Sequence, residues 1–102
     1  MNNIRVTIGF FCLLIILPPV FLSCSPNGAD LFIRQGCIGC HSFKGVGGKT
    51  GPELTAVMKR RTARWLADYL ANPRKMNPQA RMPSFGHLTT QEKNALVQYL
   101  QQ

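Results

Sequence analysis

Residues 37–41 read Cys37-Ile38-Gly39-Cys40-His41, two thiols on one short turn followed directly by an imidazole. Thiols at this spacing can each bond to one vinyl group of a porphyrin, and the next residue can then direct its imidazole at the iron. Cys-x-x-Cys-His is the pattern of covalent haem attachment. The stretch therefore predicts one haem c, with Cys37 and Cys40 as its thioether anchors and His41 as the proximal iron ligand.

A redox pair, a zinc site and a disulfide are less favoured as roles for this motif. A thioredoxin-like redox pair belongs in a strand–helix–strand setting, and the sequence predicts no strand. A zinc site needs two further ligands, and His87 is the one candidate left, in a loop without a partner cysteine. A disulfide between Cys37 and Cys40 would close a very small loop and would stabilise the chain little.

The N-terminal segment has the pattern of an export signal. Residues 1–5 carry one positive charge, residues 6–17 are uniformly apolar, and Pro18-Pro19 then interrupts any helix. The apolar run is too short to span a bilayer comfortably. We expect an exported protein, located in the periplasm or on the outer face of a membrane.

Cys24 follows this run directly after a small residue, as in the bacterial lipoprotein signal. We expect residues 1–23 to be a signal peptide cleaved before Cys24, the thiol of Cys24 to carry a lipid anchor, and residues 24–28 to form a linker. An ordinary cleaved signal and an uncleaved anchor are the alternatives. Cys12 lies inside the apolar run and is interpreted as a small hydrophobic residue.

Composition limits the remaining possibilities. The chain has 102 residues with 12 Lys and Arg against 4 Asp and Glu, a formal charge of +8. This excludes a large multidomain enzyme, an acidic disordered tail and a protein with several membrane spans. Cleavage would leave roughly 80 residues, a size that usually needs a disulfide, metal or cofactor to supplement its core.

The remaining sequence predicts an all-α domain, residues 29–102, with three to four helices and long loops around one haem. A helix is expected at residues 29–35, and Pro52 can begin a short one. Thr62 caps a helix that ends at Asn72-Pro73, and Thr89 with Glu92 forms a capping box before the last helix. Residues 74–86 are expected to be a loop.

The second axial ligand of the iron is sought among Met58, Met76, Met82 and His87. Met58 falls in a helical stretch and is expected to pack in the core. Met82 precedes Pro83 in a proline-rich loop, where the fixed backbone can hold a thioether over the haem. Met82 is therefore favoured as the distal ligand, ahead of Met76 and then His87.

These residues together resemble a small bacterial class I cytochrome c from Gly28 to Leu100. Gly51-Pro52-Glu53-Leu54 resembles a family segment whose proline carbonyl accepts a hydrogen bond from the proximal imidazole and whose leucine packs on the porphyrin. The resemblance places Pro52, Leu54 and Trp65 in the haem pocket. It also pairs Gly28 and Phe32 of the first helix with Leu96 and Tyr99 of the last, at a close helix crossing.

The resemblance implies an electron carrier rather than an enzyme, with His/Met ligation, working between respiratory partners. The basic residues near the expected haem predict docking on an acidic surface of an oxidase, reductase or dehydrogenase. We expect no nucleic-acid partner, because haem attachment takes place outside the cytoplasm. Contact of the same residues with anionic lipids is a second possibility. The alternatives for function are a fixed haem subunit of a larger respiratory oxidoreductase and a haem-based ligand sensor. The basic set comprises Lys44, Lys49, Lys59, Arg60, Arg61, Arg64, Arg74, Lys75 and Arg81.

Overall fold

The computed structural model describes residues 16–102 and shows a mostly helical domain, as predicted. Residues 1–15 of the expected signal peptide, including Cys12, lie outside the described residues. No helix within residues 16–102 is long and apolar enough to cross a membrane. In chain order the elements are α1 (Gly28–Arg34), α2 (Cys37–Cys40), β1 (Ser42–Phe43), β2 (Val46–Gly47), a 3-10 helix (Val57–Lys59), α3 (Ala63–Ala71), α4 (Pro73–Met76) and α5 (Thr90–Leu100).

Helix α1 begins one residue earlier than expected. The side chain of Asn27 accepts hydrogen bonds from the N–H groups of Ala29 and Asp30, at 2.9 and 3.2 Å, and so acts as the N-cap. Because an N-cap side chain satisfies amides that lack a partner within the helix, the first helical residue is Gly28. The expected linker of residues 24–28 therefore ends at Asn27.

Gly28 lets α1 and α5 approach very closely. A Cβ atom at this position would overlap the carbonyl oxygen of Ala95 and lie 2.7 Å from the Cβ of Tyr99. Any side chain larger than hydrogen would push the two helices apart. The close contact of the first and last helices agrees with the resemblance to class I cytochromes c.

The helix starts follow the predicted caps. Thr62 Oγ accepts from the N–H of Trp65 at the start of α3. At α5 the Thr89 side chain accepts from the N–H of Glu92, and the Glu92 carboxylate accepts in return from the N–H of Thr89. This reciprocal arrangement is the predicted capping box.

Three local expectations were wrong. Two short antiparallel strands occur where none was predicted, joined through a turn in which Lys44 and Gly45 have φ of 50° and 81°. Pro52 begins no helix, because its segment is irregular up to the 3-10 helix. Within residues 16–102 there are five α-helices rather than three to four, since α2 and α4 were not predicted; α4 (Pro73–Met76) begins one residue before the predicted loop 74–86 and extends into it.

The core lies between α1, α3, α5 and the loops that connect them. Tyr99 is half-buried, with its ring 4.9 Å from that of Phe43 and 5.6 Å from that of Phe32. The core thus joins helices α1 and α5 to the segment that follows the Cys-x-x-Cys-His motif. The buried apolar residues are Leu31, Phe32, Phe43, Val57, Leu66, Ala80, Phe85, Leu88, Leu96, Val97 and Leu100.

Candidate haem-attachment site

Helix α2 places the two thiols of the motif on a single helical turn. Cys37 is half-buried and Cys40 is exposed, and both are free thiols. The N–H of His41 donates to the Cys37 carbonyl at 2.9 Å, which ends the helix, and His41 then adopts an extended backbone. The motif therefore presents both sulfur atoms and the imidazole from one compact segment.

The thiol of Cys37 is not activated as a nucleophile. Burial raises its pKa above the usual value, a backbone hydrogen bond acts in the opposite direction, and the neighbouring Cys40 raises it further. A thioredoxin-type redox pair instead requires a thiol with a lowered pKa. The Cys37 environment therefore disfavours the thioredoxin-like alternative.

The tautomer of His41 follows from its hydrogen bond to Pro52. His41 Nδ1 lies 2.6 Å from the carbonyl oxygen of Pro52. A carbonyl oxygen can only accept, so Nδ1 carries a proton, and in the neutral ring Nε2 then keeps its lone pair. A neutral imidazole held in this way is suited to bind a metal through Nε2, and the carbonyl strengthens it as a donor.

A glycine-rich segment, residues 47–55, runs alongside the motif and is called the strap below. The N–H groups of Gly48 and Gly51 donate to the motif carbonyls of Ile38 and Cys40 at 2.8 and 2.7 Å, and the Leu54 N–H donates to the carbonyl of Ser42, just after the motif, at 2.9 Å. A Cβ at Gly51 would lie 2.6 Å from a carbon of the His41 ring. Glycine at this position lets the strap lie against the imidazole.

The remaining residues predicted for the pocket pack against the core. Leu54, Trp65 and Met82 are all half-buried and contact the buried cluster. The Trp65 ring stacks on Tyr69 with 4.8 Å between centroids, and the Arg61 guanidinium lies 4.2 Å from the Trp65 centroid. Pro52 itself is exposed and reaches the site through its carbonyl.

Met82 lies beside a cleft of about 310 Å³ between the start of α4 and the loop before α5. Its alternatives are more open to solvent, since Met76 is 39% exposed and His87 is exposed. The cleft carries two guanidinium groups beside the methionine. Its lining consists of Asn72, Pro73, Arg74, Arg81, Met82, Pro83 and Ser84.

These residues fit a covalently attached haem. Two thiols on one turn and an imidazole with a free Nε2 form the donor set. Apolar side chains that pack on the core remain only half-buried, and they offer an apolar surface to a porphyrin. No three His, Cys, Asp or Glu side chains come together within residues 16–102 as a zinc site would require. The larger side chains among these half-buried apolar residues include Ile38, Leu54, Met58, Trp65, Leu70 and Met82.

Two contacts at the site were not predicted from the sequence. The first is the stacking of Arg61 on Trp65. The two residues lie four positions apart across the start of α3, and this spacing was the sequence signal that could have predicted their contact. Thr55 accepts a hydrogen bond from the N–H of Lys44 at 2.8 Å. No sequence pattern indicates the second contact, because it depends on how two loops fold together.

Cys24 is exposed in the non-helical segment before α1. In the sequence, Cys24 precedes α1, whereas the Cys-x-x-Cys-His turn follows it. The apolar side chains that precede it are strongly exposed, with Phe21 at 85% and Leu22 at 89%. Residues 16–25 contribute no side chain to the buried core.

All four carboxylates of the chain are engaged in local contacts. Asp30 pairs with Arg34 at 2.9 Å and Asp68 with Arg64 at 3.9 Å. Glu92 belongs to the capping box, and Glu53 accepts from Thr55. In the part of the chain that the structure describes, the side chains of Lys44, Lys49, Arg74 and Lys75 form no ion pair with a carboxylate.

Comparison with known proteins agrees with this site. The family model described as cytochrome c matches residues 25–102. A cytochrome c of Cochliobolus lunatus is 32% identical over 97 aligned positions, covering 74% of this chain and 89% of the relative. A cytochrome c of Arabidopsis thaliana is 31% identical over 97 positions, covering 74% of this chain and 86% of the relative.

A more distant relative is a subunit of a larger assembly. Cytochrome c oxidase subunit 2 of Alkalihalophilus pseudofirmus is 28% identical over 85 positions, which cover 72% of this chain and 24% of that subunit. No solved structure matches the chain significantly. The family match spans the whole helical domain and includes the attachment motif, so the chain belongs to the cytochrome c family, whose members hold haem c covalently and carry electrons with it.

Proposed function

We propose that this protein shuttles electrons between respiratory redox partners outside the cytoplasm, with His41 and Met82 as the axial ligands of one haem c. The observation that carries the proposal is the 2.6 Å contact between His41 Nδ1 and the Pro52 carbonyl. It leaves Nε2 as a neutral donor next to the two thiols. The haem iron, when bound, supplies the change between ferrous and ferric states, and the protein holds the ligands.

Support for Met82 comes from how its loop is anchored. Ser84 Oγ donates to the Ala71 carbonyl at 2.6 Å, and the Phe85 N–H donates to the Leu70 carbonyl at 2.8 Å. Pro83 restricts the backbone next to Met82. The thioether is thus attached to a segment fixed against α3, and a ligand held in both oxidation states limits reorganisation during electron transfer.

Substitution of Met82 by alanine tests the ligand assignment. A thioether ligand gives ferric haem a weak absorption band at the red end of the visible spectrum, and we expect the M82A protein to lose it. The reduced M82A protein should also bind carbon monoxide, while the parent should stay closed to it. M76A is the matched control and should keep the band. An unchanged band in M82A would contradict the assignment.

The proposed partners carry acidic docking surfaces. Support comes from the formal charge of +8 and from the local engagement of every carboxylate. A positive field of this kind speeds association with an acidic partner and weakens with salt. We expect the rate of electron transfer to such a partner to fall steeply as salt is added. A rate independent of salt would count against electrostatic docking.

We also propose that Cys24 anchors the mature protein to a membrane through a lipid. Its support is the small residue before it, the apolar run upstream and its exposure ahead of α1. In the expression host, we expect the parent in the membrane fraction and C24S in the soluble fraction or retained as the unprocessed precursor. Mass spectrometry of the N-terminal peptide should show an acyl modification. An unmodified Cys24 in mature protein would contradict this.

The similarity to part of an oxidase subunit favours a second candidate, a fixed haem subunit of a larger respiratory complex. Purification at low detergent separates the two possibilities. A carrier should migrate as a single small protein, whereas a fixed subunit should remain with other chains. The carbon monoxide test above also addresses a ligand sensor, which would bind the gas without any substitution.

A further inference from the structure

The hydroxyl of Thr55 connects the two loops that flank His41. It accepts a 2.8 Å hydrogen bond from the N–H of Lys44 in the turn between β1 and β2, and it donates to the carboxylate of Glu53. The direction is fixed because an amide N–H can only donate and a carboxylate can only accept. Lys44 has a φ of 50°, an uncommon conformation for a residue other than glycine, and the hydrogen bond that its N–H donates to Thr55 helps to hold it.

This contact is the last in a series of hydrogen bonds that join the strap to the motif and to the residues just after it. Gly48 bonds to Ile38, Gly51 to Cys40, Leu54 to Ser42 and Thr55 to Lys44, so that both segments advance in the same direction. The Pro52 carbonyl that holds His41 lies within this series. Thr55 is the member whose side chain, rather than its backbone, makes the bond.

The position of the Pro52 carbonyl depends on its neighbours in the strap. Proline has no N–H and cannot pin itself to the motif by a hydrogen bond of its own amide. The Gly51 amide holds the strap on one side of Pro52, and the Leu54 amide and the Thr55 hydroxyl hold it on the other. Loss of the hydroxyl would release the end of the strap three residues beyond the carbonyl.

We propose that Thr55 is a positioning residue for His41, acting through the Pro52 carbonyl. The inference rests on the proposed role of His41 as an iron ligand. The carbonyl draws on the Nδ1 proton and makes Nε2 a stronger donor. A stronger donor favours ferric over ferrous iron, so a looser strap raises the reduction potential.

Thr55→Val removes the hydroxyl and keeps the shape of the side chain. Two variants serve as controls. Thr55→Ser keeps the hydroxyl, and Thr50→Val changes an exposed threonine elsewhere in the strap. The readout is a redox titration of the haem-loaded proteins. At a fixed ambient potential we expect T55V to increase the ferrous-to-ferric ratio about threefold, which is about 28 mV for a one-electron couple. T55S and T50V should titrate like the parent.

A potential of T55V equal to that of the parent would overturn the inference, even if the variant melts at a lower temperature, since lost stability alone indicates a purely structural threonine. Equal shifts in T55V and T50V would overturn it as well. Parent protein that acquires no covalent haem would instead refute the proposed function, because every titration requires a loaded chain.

Hydrogen exchange in the reduced parent protein tests the same inference without a substitution. If Thr55 keeps the strap closed over His41, the His41 Nδ1–H, the Leu54 N–H and the Lys44 N–H should exchange with a common opening constant. An opening constant at Lys44 that is at least tenfold larger than the one at His41, after each rate is corrected for its intrinsic exchange, would mean that the Thr55 bond opens without releasing the imidazole. That result would overturn the inference even if T55V failed to mature.

Discussion

Gly28 of α1 lies directly against α5 with no room for a side chain, and its substitution by alanine is the sharpest test of the fold. The added Cβ would overlap the carbonyl oxygen of Ala95 and come within 2.7 Å of the Tyr99 Cβ. Both are parts of α5 that cannot rotate away, because one is backbone and the other is the first side-chain atom. Relief therefore requires α1 and α5 to separate.

The expected loss of stability combines two opposing effects. Overpacking that moves backbone costs about 1–3 kcal/mol, and replacing glycine by alanine within a helix recovers up to about 1 kcal/mol. Gly28 is the first helical residue, where the recovery is small. A net loss of about 2 kcal/mol lowers the melting temperature of a domain of this size by roughly 8–16 °C.

Thermal unfolding of the haem-loaded protein, followed by far-ultraviolet circular dichroism, measures this loss. Gly39→Ala is the matched control, because Gly39 lies in α2 and a Cβ there would meet no atom within 4 Å. We expect G39A to change the free energy of unfolding by less than about 0.5 kcal/mol. If G28A unfolded at the temperature of G39A, the close helix contact would be refuted.

Two further predictions concern local hydrogen bonds. Thr89→Ala should lower the free energy of unfolding by about 1 kcal/mol by removing the capping box of α5, while the neighbouring Thr90→Ala should have little effect; equal melting temperatures for the two would contradict the cap. Hydrogen bonds from the Thr55 side chain and backbone lower the pKa of Glu53 below its usual value. The stabilisation from this carboxylate is therefore present above the usual pKa and is lost as pH falls through the lowered one. Titration of the Glu53 carboxyl by NMR should show the lowered pKa in the parent and a rise toward the usual value in T55V; identical curves would contradict it.

The features predicted correctly are those encoded within a few residues. The capping box of Thr89 and Glu92 requires only a hydroxyl and a carboxylate three positions apart. The cap at Thr62 is equally local. The attachment motif likewise contains its own geometry, since one helical turn brings Cys37 and Cys40 together.

The missed elements depend on contacts that the sequence does not state. The strands contain two residues each, too few for an alternating pattern, and they exist because the turn at Lys44 and Gly45 reverses the chain. Asn72 was interpreted only as a helix end. Its side chain also accepts from the N–H of Lys75, so Asn72-Pro73 ends α3 and starts α4 with proline at a favourable first position.

The contacts of the candidate site also differ in whether they could be predicted before the structure was known. The contact of His41 with Pro52 was expected from the resemblance alone, since no periodicity links residues eleven positions apart. The contact of Thr55 with Lys44 has the same separation, and neither pattern nor resemblance indicated it. Contacts between loops of this kind follow from the folded backbone, and the backbone here is set by the glycines that let the strap lie against the motif.

The four acidic side chains are engaged in local contacts, so they offset little of the excess positive charge. Asp30 and Asp68 pair with arginines one helical turn away, and exposed pairs of this kind contribute only a few tenths of a kcal/mol. Glu53 and Glu92 serve as hydrogen-bond acceptors for backbone amides. The acids therefore support local structure and leave the field of the basic residues largely uncompensated. That field extends about 8 Å in physiological salt, and in the proposed docking it acts on the approach of an acidic partner.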